Sequence, residues 1–140
     1  MPILYLSRYI IKNKADYYRL LNDVSFNDGL HDWILFMLKG IEGISRETIQ
    51  TIKNIEALME KTKNIILDNK PKIFSKDLLE ALFYHPYTKR AFIEEQLNIS
   101  RPTATNYLKE LENMGILSSQ KIGKEIFYVH TELFHLFKDM

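Results

Sequence analysis

The 140 residues include no cysteine, no long apolar run, no internal repeat and no low-complexity segment. Without cysteine there is neither a disulfide framework nor a thiolate metal site, which fits a reducing cytoplasm. The apolar residues at the N-terminus are broken by Ser7 and Arg8. That run is too short to span a bilayer, and no small-residue cleavage site follows it, so no membrane partner is expected. An excess of charge of one sign is missing too: 19 basic and 18 acidic side chains leave +1. The halves are as even, with ten basic and nine acidic residues in 1–70 and nine of each in 71–140. Nucleic-acid binders of this size commonly show a basic excess, so the balance weighs against that class.

What the chain does hold is helical periodicity. Residues 3–24 read as helix, rich in tyrosine and leucine, with a break at Asn13 and Lys14 and a turn at 25–29. Residues 30–40 read as a short helix, apolar almost all round and hence buried, ending near Gly40. Ser45 is placed to cap a long amphipathic helix reaching Leu67, with Ile44, Ile52, Ile55, Met59 and Ile66 on one stripe. The polar stretch 68–72, with Pro71, marks a boundary between domains 1–70 and 71–140.

Beyond Phe74 the signals tighten. Ser75 caps a helix over 76–85, and 88–97 forms a second. Asn98 supplies the left-handed turn residue, and 101–114 forms a third helix capped by Ser100 or Arg101, with Pro102 in its first turn. Gly115 ends that helix, and residues 116–130 make two strands around an Ile-Gly-Lys-Glu turn. Thr131 caps a final helical turn or two. Helix, helix, turn, helix, hairpin is the order of a winged helix-turn-helix, so the fold class expected is mainly α with a small two-stranded β wing.

The third helix, SRPTATNYLKELENM, buries Ala104, Leu108, Leu111 and Met114, at spacings of four, three and three. In helix-turn-helix proteins this element enters the DNA major groove with its N-terminal residues at the base edges. Arg101 and Asn106 have the bidentate geometry for guanine and adenine edges. Ser100, Thr103 and Thr105 suit phosphate oxygens or thymine methyls, and Lys109, Lys121 and Lys124 suit phosphates. Against this stands a weak electrostatic term. Residues 85–124 hold six basic and four acidic side chains, a surplus of two.

Other chemistry finds little footing. Histidines 31, 85, 130 and 135 form no i, i+4 pair, and no metal site is expected. His85-Pro86-Tyr87 lacks a glycine-rich phosphate cradle and reads as a helix-ending turn. Glu94, Glu95, Glu110 and Glu112 read as helix-surface charges with ordinary acidity. Tyr5, Tyr9, Tyr17 and Tyr18 read as core or interface side chains.

The stretch PILYLSRYIIKNKADYYRLLNDV, followed by WILFMLKGIEG and the long helix, resembles the C-terminal part of Fic-family proteins. FSKDLLEALFYHPYTKRAFIEEQLNISRPTATNYLKELENMGIL is similar to the winged helix that many bacterial members carry after the Fic core. That family transfers a nucleotide monophosphate, usually AMP, to hydroxyl side chains of proteins, with ATP and magnesium in its complete members. The resemblance implies that 1–70 are the last helices of a Fic-like domain. It also implies that Tyr18 and Leu21 match positions lining the adenine side of the nucleotide pocket. The Fic signature, His-Pro-Phe-x-Asp/Glu-Gly-Asn-Gly-Arg, supplies the general base and the phosphate nest and lies upstream of this region in the family. It is not among these residues, so the chain is expected to be a C-terminal fragment with no catalytic residue and no cofactor of its own. The expected function is a DNA-binding or regulatory module, its partner double-stranded DNA. The competing expectation is an interaction module that dimerises or packs on a Fic core without meeting DNA.

Overall fold

A computed structural model describes residues 5–138. Its contacts divide the chain into two compact units, Met1–Ile52 and Lys53–Met140.

In the first unit, α1 (Leu6–Lys12) and α2 (Lys14–Phe26) meet at Asn13, the break its sequence signals. Asn13 is held by its own amide, whose Nδ2 donates to the Tyr9 carbonyl at 2.9 Å. Asp28, with φ of 53°, turns the chain into α3 (Leu30–Asn69), a single 40-residue helix. The helix end expected at Gly40 and the cap expected at Ser45 are therefore both absent. Strong helix formers surround these residues, and one glycine costs only about 1 kcal/mol, too little to stop an established helix. Gly40 has a packing role instead, since a Cβ there would collide with the Tyr9 ring. Tyr9 belongs to an aromatic cluster with Tyr17, Trp33 and Phe36, with centroids 5.1 Å apart for Tyr9–Phe36 and for Tyr17–Trp33. Residues 30–40 are not buried all round. Phe36 and Gly40 face inward, whereas Leu30, Ile34, Leu35 and Leu38 are exposed, because α1 and α2 cover one side only.

In the second unit, the last turns of α3 bury Leu58, Thr62 and Ile66, while Ile52, expected on the apolar stripe, is exposed. Pro71 opens a 3-10 turn (Pro71–Ile73). There follow α4 (Lys76–Tyr84), β1 (Tyr87–Thr88), α5 (Arg90–Leu97), α6 (Arg101–Asn113), β2 (Leu117–Ile122), β3 (Glu125–His130) and α7 (Thr131–Lys138). The core is formed by Leu78, Leu82, Ile93, Ala104, Leu108 and Leu111, which interlock the three helices of the motif. Each buried leucine removes roughly 1.5–3 kcal/mol worth of apolar surface from water.

The sheet has three antiparallel strands in the order β1-β3-β2, one more than expected. The residues that read as a plain His-Pro turn supply the third strand, with Tyr87 paired to Val129 and Thr88 to Tyr128. Pro86 fixes the entry, its carbonyl accepting from His130 N at 2.8 Å.

Candidate nucleic-acid interface

The helix-turn-helix is set by a few local choices. Asn98 closes α5 in the left-handed region (φ 50°, ψ 50°), and Ile99 N donates back to the Glu94 carbonyl at 3.1 Å. Ser100 takes the N-cap of α6, its hydroxyl accepting from Thr103 N at 3.4 Å, which decides between the two caps left open by sequence. Gly115, with φ of 77°, ends α6, and Ile116 N bonds the Leu111 carbonyl at 3.0 Å. This geometry carries the chain into β2 with Ile116 and Leu117 buried.

Of the residues proposed for DNA contact, Ser100, Arg101, Thr105, Asn106, Lys109, Lys121 and Lys124 are exposed, and Thr103 is half-buried. Their hydroxyls are partly engaged. Ser100 Oγ and Thr103 Oγ1 share a 2.8 Å hydrogen bond, and Thr105 Oγ1 donates to the Arg101 carbonyl at 2.9 Å. What Thr105 offers outward is then mainly its methyl group. Arg101 and Thr105 line one groove of about 360 Å³ together with Lys124 of the β2–β3 turn. Asn106, Lys109 and Lys121 do not line it.

Lys89 and Arg90 also line this groove and were not singled out as site residues from sequence, although they stand as a basic pair just before α5. Both carry local counter-charges: Lys89 Nζ lies 2.7 Å from Glu125 Oε2, and Arg90 Nε 3.6 Å from Glu94 Oε1. Arg101 and Lys124 have no ion-pair partner among the described residues, so they remain available to an anion.

Glu112 is not the ordinary surface carboxylate its context suggested. It accepts from the Ser119 hydroxyl at 2.5 Å and from Ser119 N at 3.0 Å. These two hydrogen bonds, the hydroxyl first, hold its carboxyl below the usual range and tie β2 to α6. His130, rather than Thr131, caps α7: its Nδ1 accepts from Leu133 N at 3.3 Å. Burial pushes this imidazole down to about 4 against a weaker upward pull from Glu132.

Tyr18 and Leu21 lie on α2 and are exposed, whereas neighbouring Leu20 is buried. Tyr18 sits edge-on to Tyr17 at 5.5 Å, with Lys14 Nζ 5.9 Å from its ring centre. Tyr9 and Tyr17 are half-buried core, as expected, and Tyr5 and Tyr18 are exposed. Among the described residues no group of three or more acidic or imidazole side chains is placed to hold a metal. No helix there is long and apolar enough to cross a membrane.

Two helices joined by an asparagine turn, followed by a hairpin docked on the second of them, define a winged helix-turn-helix. Residues 58–133 match the model of the C-terminal domain of SoFic-like protein adenylyltransferases, and the chain belongs to that family.

Proposed function

We propose that the second unit is a DNA-binding regulatory module of a Fic-type adenylyltransferase, acting in the cytoplasm. In this reading α6 enters the major groove, Arg101 and Asn106 reach base edges, and Lys121 and Lys124 hold phosphates from the wing. One observation carries it: Arg101 at the start of α6 and Lys124 at the wing turn line a single groove although they lie 23 positions apart in the sequence, both without a counter-ion among the described residues. A helix start and a wing tip facing one cavity are what a duplex backbone needs from this fold.

Electrophoretic mobility shift at low and raised salt tests it. Binding should weaken steeply as salt rises. Arg101→Ala and Asn106→Ala should each reduce discrimination between sites by about 1–3 kcal/mol at the base read. Lys124→Ala should weaken all duplexes alike. Absence of a shift with any duplex at low salt retires the reading.

A specific observation favours a second reading, an interaction module. In the first unit Tyr18, Leu21, Leu30, Ile34, Leu38 and Ile41 are all 40 % or more exposed. A surface so apolar suits a second copy or a Fic catalytic core better than water. AMP transfer is no part of either reading. Transfer needs a base at the attacking hydroxyl and a nest of donors around the phosphates, and the sequence has no Fic signature to supply them.

A further inference from the structure

Outside the groove, the second unit carries a row of aromatic rings that starts at Phe92, packed on the core, and continues over the exposed Tyr84, His85 and Tyr87. Phe92 of α5 lies 5.7 Å from Tyr84, the last residue of α4. Tyr84 stands edge-on to His85 at 4.8 Å, and His85 lies 6.0 Å from Tyr87 with the two planes only 14° apart. Tyr87 then meets Phe127 of β3 at 6.1 Å. Phe92 and Phe127 are half-buried and anchor the ends, while Tyr84 is 68 % and Tyr87 53 % exposed. Neither tyrosine hydroxyl makes a hydrogen bond among the described residues. Rings left this open add little to folding, because burial is what makes an aromatic side chain stabilising.

The row is also held rigid. Pro86 stands between His85 and Tyr87, its carbonyl fixed by His130 N, and Tyr87 is paired in register with Val129. It ends at a cation: Lys89 Nζ lies 4.5 Å from the centre of the Phe127 ring, and the same Lys89 lines the groove that holds Arg101 and Lys124. Flat π faces beside a groove with unpaired cations suit one class of ligand well. Unpaired bases stack on the rings while the phosphates between them follow the positive side chains. A proline-rich peptide would also find rings, but would leave Arg101 and Lys124 in the groove without a counter-charge.

We propose that Tyr84, His85 and Tyr87 form a stacking platform for unpaired bases of single-stranded nucleic acid, with the backbone passing Lys89 toward the groove. It goes beyond the duplex reading, since it uses β1 and the end of α4 rather than α6. It stands or falls separately.

Fluorescence anisotropy with the whole chain tests it, using a labelled oligothymidine of about 15 nucleotides and a duplex of the same length, at low salt. The oligothymidine should bind, and Tyr87→Ala and Tyr84→Ala should each weaken it about tenfold, with Tyr87→Phe close to wild type. Duplex affinity should be unchanged in the tyrosine variants and reduced by Arg101→Ala. Circular dichroism of each variant confirms that the fold persists. No binding of oligothymidine while the duplex binds overturns the platform and leaves the duplex reading standing. Oligothymidine binding untouched by both tyrosine variants also overturns it, and so does binding of a proline-rich peptide at the tyrosines in place of the oligonucleotide. Loss of duplex binding alone sinks only the earlier proposal.

Discussion

Two glycines of α3, three residues apart, show how much a single side chain's surroundings decide. A Cβ at Gly40 would strike the Tyr9 ring, while one at Gly43 would meet nothing within 4 Å. Gly40→Ala should therefore destabilise the first unit by about 1–3 kcal/mol, because the aromatic stack must move. Gly43→Ala should instead be neutral or stabilising by up to about 1 kcal/mol, since only helix propensity changes. Urea unfolding of both variants followed by tryptophan fluorescence checks the contrast, Trp33 being the sole reporter and lying within that stack. His130 sets a pH dependence. Its Nδ1 must stay unprotonated to accept from Leu133 N, and Nε2 is buried without a hydrogen-bond partner among the described residues. The folded imidazole titrates near 4, below its ordinary 6.5, so the unfolded chain binds the proton first. Stability from this group is intact above about pH 6.5 and is lost as pH falls toward 4, by at most about 3 kcal/mol. Denaturant midpoints at the two ends of that window should show it. His130→Asn, which keeps a capping oxygen, should remove this part of the slope.

Elements of the winged helix were largely readable because their signals are local. Asn98 adopts the left-handed turn, Ser75 and Ser100 cap, and Gly115 terminates, each through bonds within five residues. The misreadings share a different cause. Gly40 and Ser45 look like stop and start signals, yet the surrounding helix overrides them. β1 is two residues long and exists only because β3, about 40 residues away, pairs with it, which no local pattern reports. For the same reason the groove was half legible. Arg101, Thr105 and Lys124 are legible from their chemistry, but their meeting with Lys89 and Arg90 depends on how the hairpin docks. That docking is braced by Glu112, whose carboxylate reaches Ser119 seven residues on. Glu112→Ala should leave the three helices folded and speed amide exchange at Ser119 and along β2, as hydrogen–deuterium exchange would reveal. Asn98→Ala should cost about 1 kcal/mol and Asn98→Gly much less, because only the first must force a Cβ into left-handed backbone.

For the molecule as a whole, the exposed apolar residues of the first unit set the expectation. Ile34 and Leu38, one helical turn apart on α3, are 46 % and 54 % exposed. The chain should self-associate at tens of micromolar, roughly where a modest interface becomes visible in sedimentation. Ile34→Glu with Leu38→Glu should return it to a monomer while leaving the proposed duplex binding unchanged. A wild-type chain that sediments as a monomer at that concentration would count against the interface. Labelled ATP with magnesium or manganese should give no transfer of AMP to the chain itself or to proteins of a lysate, and transfer would overturn the non-catalytic reading.

The brace between Glu112 and Ser119 has a consequence for growth into fibres. β1 and β2 are the outer strands of the sheet, and an outer strand offers its free amides to any passing chain. β1 is too short to act as a template, and Pro86 just before it has no N–H to give. β2 is six residues long, so it is the edge on which a foreign strand could add. Its Ser119 N–H is already donated to the Glu112 carboxylate, and Lys121 places a charge two residues further along. An incoming strand would have to displace a charge-assisted bond near the middle of the edge before it could zip onto the rest. A carboxylate that fixes the wing thereby also closes the sheet against its own kind.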